Sequence, residues 1–175
     1  MKDYLDICRK VFRQYKELGE KAIAQLDEEQ LNWAPSKESN SIALIVKHLY
    51  GNMLSRWTDF LTTDGEKEWR DRDGEFETDK PLTQAELNKI WNDGWTLFLH
   101  TLDSLTDADL DKIVKIRGED HTVIEALQRQ TAHYSSHIGQ IIYLAKACKD
   151  KDWNSLSIPR GKSKEYNAKL TGKKY

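Results

Sequence analysis

Four segments of this chain repeat their apolar residues every three to four positions, and no segment of comparable length alternates as a half-buried strand would. A helix with one apolar stripe has to bury that stripe, so four of them restrict the fold sharply. The first stripe, Cys8, Val11, Phe12, Tyr15, Leu18, Ala22 and Leu26, predicts a helix from about Tyr4 to Leu26. A second runs through Ile42, Ile45, Val46, Leu49, Met53, Trp57 and Phe60 and predicts a helix from Ile42 to Leu61. The third, Leu87 to Leu105, is opened by Thr83 with Glu86, and the fourth, Val123 to Ala145, by Thr122 with Glu125; both pairs read as capping boxes. Facing a common centre satisfies all four stripes at once, and the predicted fold class is an all-α four-helix bundle.

The connections fit the same plan. Asp27 to Ser41 carries Pro35 and ends in a cluster of Ser and Asn, while Thr62 to Pro81 is a long polar loop of the kind that compact domains commonly use for function. Lys112 to His121 has the pattern of a small hairpin around Arg117, Gly118 and Glu119, just before the last long helix. From Lys149 onward the chain is basic and without a period, so residues 149–175 are expected as a tail packed over the bundle. A length of 175 residues provides for one core rather than two, which predicts a single domain over 1–175.

Charge narrows the choice of partner. A net charge of -2 and a pI near 6.2 lack the cationic excess on which nucleic-acid binding rests, so no nucleic acid is expected. Mean hydropathy is -0.76, and neither a secretory apolar run near the start nor a span-length apolar stretch occurs. The expectation is a cytoplasmic protein with no membrane partner, whose two cysteines, Cys8 and Cys148, are reduced and structural.

At about 100° per residue, His133 and His137 project roughly 40° apart from the fourth helix, on the flank of its buried stripe. That separation lets two imidazoles reach one ion at about 2.0–2.1 Å. His48, beside the second stripe with Ser41, Asn52 and Ser55 on its flank, is positioned to face the same interior. His100 falls on the outer side of the third helix and His121 precedes a helix start, so neither joins the set. Spacing alone leaves open a pair of hydrogen-bonded imidazoles without an ion. A third inward histidine adds weight to a metal, because burying several imidazoles without one is costly. No histidine follows a Glu by three residues and no H-E-x-x-H occurs, which excludes a zincin and a ferritin-like di-iron bundle. Gly161-Lys162-Ser163 ends like a phosphate-binding loop, but Leu156 stands where that motif needs Gly.

The run His133-Tyr134-Ser135-Ser136-His137-Ile138-Gly139-Gln140-Ile141 resembles the final-helix motif of the DinB superfamily, H-x-x-x-H followed by G-Q-I. Ser41-Ile42 through His48-Leu49 resembles its second-helix motif. Leu26 to Pro35 and Thr122 to Leu127 extend the likeness over about residues 5–148. Within the superfamily, Asn52-Met53-Leu54-Ser55-Arg56-Trp57, Trp69-Arg70-Asp71-Arg72-Asp73-Gly74-Glu75-Phe76 and Ser157-Ile158-Pro159-Arg160-Gly161 resemble a bacterial subfamily of uncharacterised function. The resemblance implies one divalent transition metal, zinc or nickel, on His48, His133 and His137, and a homodimer. It also implies a low-molecular-weight thiol as cosubstrate, since characterised relatives include bacillithiol transferases and a mycothiol-dependent isomerase.

Three protein ligands leave a position open, as in catalytic zinc sites. A thiol there favours an S-transferase acting on a small-molecule substrate, water a hydrolase; a non-catalytic dimeric bundle is the alternative to both. Arg70, Arg72, Arg117 and Arg160 are candidates to clamp an acidic thiol through bidentate contacts, although each also reads as a solvated surface arginine. Asn52 and Gln140 are candidates to orient the imidazoles. Trp57, Trp91 and Trp95, at helical spacing, read as core rather than pocket wall.

Overall fold

Capping chemistry sets where the helices begin. In this computed structural model, which describes residues 4–77 and 80–171, Ser41, Thr83 and Thr122 each turn a hydroxyl back to accept from the N–H three residues on. Glu86 and Glu125 return the bond to the N–H of Thr83 and Thr122. In chain order the helices are α1 (Tyr4–Ile23), α2 (Glu28–Asn32), α3 (Ile42–Trp57), α4 (Gln84–Ser104), α5 (Val123–Lys149) and α6 (Ser163–Thr171). Strands β1 (Ile113–Ile116) and β2 (Glu119–Thr122) lie between α4 and α5. Helices α1, α3, α4 and α5 form the expected bundle: α3 packs mainly on α4 and α1 on α5, with α1 against α4 and α3 against α5 closing the ring.

Several boundaries differ from those the stripes predict. Helix α1 stops at Ile23, and Leu26 is buried from the turn beyond it. The first connection contains α2, started by reciprocal bonds between Asp27 and Gln30; one turn is too short to show an apolar period. Helix α3 ends at Trp57 rather than Leu61, because Asp59 takes a left-handed conformation (φ 50°) while Phe60 still packs into the core. In the tail, Trp153 and Leu156 pack against the core and Asn154 exchanges backbone bonds with the Gln25 side chain, but α6 is largely exposed. Residues 172–175 of the expected tail and 78 and 79 of the long loop lie outside the described residues. No described helix is long and apolar enough to cross a membrane.

The hairpin pairs Ile113 with Thr122 and Ile116 with Glu119, antiparallel. Its turn residues, Arg117 and Gly118, both have positive φ (57° and 77°), the requirement of a two-residue turn that matches strand twist. Asp64 accepts both their backbone N–H groups, at 2.8 and 2.6 Å, and Gly65 N–H donates to Lys115 O at 2.8 Å. The loop after α3 is thereby stitched to the hairpin.

An aromatic cluster fills the centre: Phe98 of α4 meets Phe12 of α1 edge-on at 4.7 Å, Trp57 of α3 at 4.7 Å and Tyr134 of α5 at 5.3 Å. Trp57, Trp91 and Trp95 are all buried. Trp91 lies so close to α1 that a Cβ on Gly19 would overlap its ring and come within 3.1 Å of Ile138 Cδ1. Replacing Gly by Ala inside a helix is ordinarily stabilising by about 0.5–1 kcal/mol. Here the added methyl would overlap a buried indole ring, so Gly19→Ala is expected to lower unfolding free energy by about 1–3 kcal/mol in urea titration; a gain in stability would refute this account of the α1–α4 contact.

Candidate metal centre

His48 enters the centre from α3, and His133 and His137 enter from one face of α5. His133 Nε2 lies 3.2 Å from His48 Nε2 and 3.1 Å from His137 Nε2, and the three candidate ligand atoms all fall within 4.8 Å of one another. Nitrogens arranged tetrahedrally around an ion at about 2.0–2.1 Å stand about 3.3–3.4 Å apart, so the spacing is close to that of a ligand set.

The other nitrogen of each ring is also engaged. His48 Nδ1–H donates to Glu75 Oε2 at 2.8 Å and His137 Nδ1–H to Gln140 Oε1 at 2.9 Å, which leaves the Nε2 lone pairs of both rings directed at the centre. His133 Nδ1 lies 3.0 Å from Gln130 Nε2, whose amide also donates to Asn52 Oδ1 at 2.8 Å. A single N–H on His133 cannot serve two facing lone pairs. The cluster therefore carries a surplus of acceptors, a deficit that a cation makes good.

Behind His48 the chain builds a rigid support. Phe76 stacks on its ring at 4.8 Å, and Arg70 grips Glu75 with two bonds of 2.7 and 3.0 Å. The side chains of His48, Glu75 and Arg70 are only 5, 7 and 3% exposed, so the network is shielded from solvent screening. Lys47 donates to the carbonyls of Gly74 and Glu77, tying the short 3-10 turn Gly74–Phe76 to α3. Gly51 makes the approach possible, since a Cβ there would overlap the Glu75 carboxylate.

Electrostatics favour the neutral forms of His133 and His137 beside a charged support. Burial, with the neighbouring His137 and His48, pushes His133 down to about 3, and burial likewise lowers His137. Burial acts to raise Glu75, but the bonds from His48 and Arg70 and the Arg70 charge outweigh it and hold the carboxyl below its usual range.

A cleft of about 280 Å³ opens on this centre, lined by His48, His133, Asn52, Gln130 and the arginines Arg56, Arg70, Arg72, Arg117 and Arg129. Of the arginines singled out from sequence, Arg72 lines it without an ion pair among the described residues. Arg117 lines it while paired to Glu66, and Arg70 lines it but is engaged with Glu75. Arg160 is exposed in the tail and does not line the cleft. Gln140 contacts His137 directly, whereas Asn52 reaches His133 only through Gln130. His100 and His121 stand outside the cluster, and Trp69 is 60% exposed.

Sequence reasoning missed Glu75, Gln130, Arg56 and Arg129. Gln130 was detectable, one helical turn before His133 on the same face. Glu75 had no such signal, because a loop has no period from which to read direction.

Comparison with solved structures adds the fold. A DinB-like protein (YjoA) from Bacillus subtilis superposes with a TM-score of 0.58 at 15% identity, over 86% of this chain and 95% of that one. No curated protein matches. Residues 1–162 match the family described as "Protein of unknown function (DUF1572)", and the chain belongs to that family.

Proposed function

We propose that this protein holds one divalent transition metal, zinc or nickel, on His48, His133 and His137 and works as an S-transferase joining a low-molecular-weight thiol of the bacillithiol type to a small electrophile. The observation that carries this reading is the convergence of three Nε2 atoms from two helices, with surplus lone pairs, beside a cleft that His48 and His133 line. Bound there, the ion would keep a position free for a guest and would lower the pKa of a thiol enough to supply thiolate at neutral pH. In the net reaction the thiol exchanges its hydrogen for the carbon of the electrophile, and the leaving group departs with the proton.

The chain's own groups prepare the site. Glu75, held by Arg70, accepts the Nδ1 proton of His48 and so presents the Nε2 lone pair. Gln140 does the same for His137. A half-turn of the Gln130 amide, matched by one of Asn52, would offer His133 Nδ1 an acceptor and free its Nε2 as well.

Plasma mass spectrometry of purified protein should find about one transition metal per chain, lost in His137→Ala. With bacillithiol and a chloro-aromatic, conjugate formation should depend on His48. A wild-type chain that is metal-free and refuses zinc and nickel would sink the reading; a metal-loaded chain inactive with every thiol would favour the hydrolase instead. Glu75→Gln and Gly51→Ala, the second by displacing the Glu75 carboxylate, should each weaken zinc affinity about 10–100-fold in chelator competition. Unchanged affinity in both would show that Glu75 plays no part in ligand orientation.

Proton linkage gives a further expectation. His133 titrates near 3 in the fold against 6.5 when unperturbed, so the unfolded chain binds a proton that the folded chain refuses between those values. Stability of the metal-free protein should therefore be full above about 6.5 and fall as pH drops toward 3. His133→Asn should flatten this slope between pH 6.5 and 5, where most carboxylates are still ionised; an unaltered slope in chemical denaturation would contradict it.

A further inference from the structure

We propose that the substrate of this centre carries an oxyanion, a carboxylate or phosphate, which Arg56 and Arg129 hold in the cleft beside His48 and His133. The inference rests on the metal reading above and deepens it by naming the substrate class.

Arg56 is the starting point. It is 5% exposed, yet its Nε and Nη1 have no hydrogen-bond acceptor among the described residues. A buried guanidinium without acceptors is unfavourable, and such a group persists most readily where a ligand completes it. Gly65 makes room for it, since a Cβ there would come within 2.9 Å of Arg56 Cδ and 3.2 Å of Nε.

The surroundings do not neutralise it. Five arginines line the cleft. Arg70 is bound to Glu75 and approaches Glu66, and Arg117 is bound to Glu66. Asp64, the other nearby carboxylate, is taken up by the backbone N–H groups of Glu66, Arg117 and Gly118. Arg56, Arg72 and Arg129 have no ion pair among the described residues. Burial, and then the charge of Arg129, pull Arg56 down to about 10, a mark of cations crowded together but still charged at neutral pH. An oxyanion between them removes both the repulsion and the missing acceptors, and the planar guanidinium fork matches a carboxylate or phosphate in shape. The cleft is also the space that His48 and His133 face, so one small molecule can rest its anionic group on the arginines and its reacting atom at the imidazole cluster.

The test uses the full-length chain, metal-free and zinc-loaded, titrated separately with inorganic phosphate and succinate against chloride at constant ionic strength, by thermal shift and calorimetry. At least one of the two anions should bind saturably in both forms, phosphate pointing to a phosphorylated substrate and succinate to a carboxylated one. Arg129→Gln, an exposed change that leaves the core intact, should weaken that binding at least about tenfold. Arg56→Met should abolish it and, by removing an unsatisfied buried charge, raise the melting temperature in chloride. A purely structural Arg56 would lower that temperature. Binding that survives both substitutions, or occurs only with zinc present, would overturn the proposal, as would no binding of either anion. Anion binding in a chain that cannot be loaded with zinc supports the arginine site and defeats only the metal reading.

Discussion

The register of α5 against α3 is the constraint on which the centre depends. Trp57 of α3 donates its indole N–H to the Tyr134 hydroxyl of α5 at 3.1 Å, and both side chains are fully buried. Tyr134 also packs on Phe12 of α1 and on Trp95 and Phe98 of α4, so with Trp57 all three other bundle helices grip the same residue. Sliding α5 by one residue, about 1.5 Å along its axis, would leave an indole N–H and a phenol without partners and would carry His133 and His137 away from His48. The hydrophobic core thus does more than stabilise the bundle. It measures the distance between two helices at the level where three imidazoles must meet.

A second constraint comes from outside the bundle. The loop after α3 would be free to wander if it were held only at its ends, yet it is fixed by Asp64 and Gly65 to the hairpin and by Lys47 to α3. These anchors set Glu75 behind His48, and the missing side chain of Gly51 lets it approach. Ordering such a loop costs about 1–2 kcal/mol of backbone entropy per residue, and backbone-directed bonds of this kind are what offset it. The hairpin, a minor feature of an otherwise helical chain, earns its position by holding that loop.

Charge is divided between the two sides of the centre. Arg70 and Glu75 neutralise each other and keep the Nδ1 proton on His48. The arginines without an ion pair among the described residues lie on the cleft side, where their field falls on whatever enters. One arginine therefore serves geometry while its neighbours remain available to an anion, and the amino-acid type alone does not distinguish the two roles.

Read by itself, the chain determined the four stripes, the capping boxes at Thr83 and Thr122, the small hairpin and the i,i+4 histidines, because each is a local pattern whose physics acts within a few residues. Helix ends at Ile23 and Trp57 and the single turn of α2 escaped it: stripes continue past a helix end wherever the following turn still buries its apolar residue, as Leu26 and Phe60 do. The tertiary structure alone decided that Glu75 stands behind His48, that Arg70 is engaged while Arg56 is buried with no acceptor for its Nε and Nη1 among the described residues, and that Arg160 lies apart from the cleft. Those outcomes depend on contacts between residues distant in the chain, and a loop or an isolated arginine has no periodicity to announce which way its side chain will face.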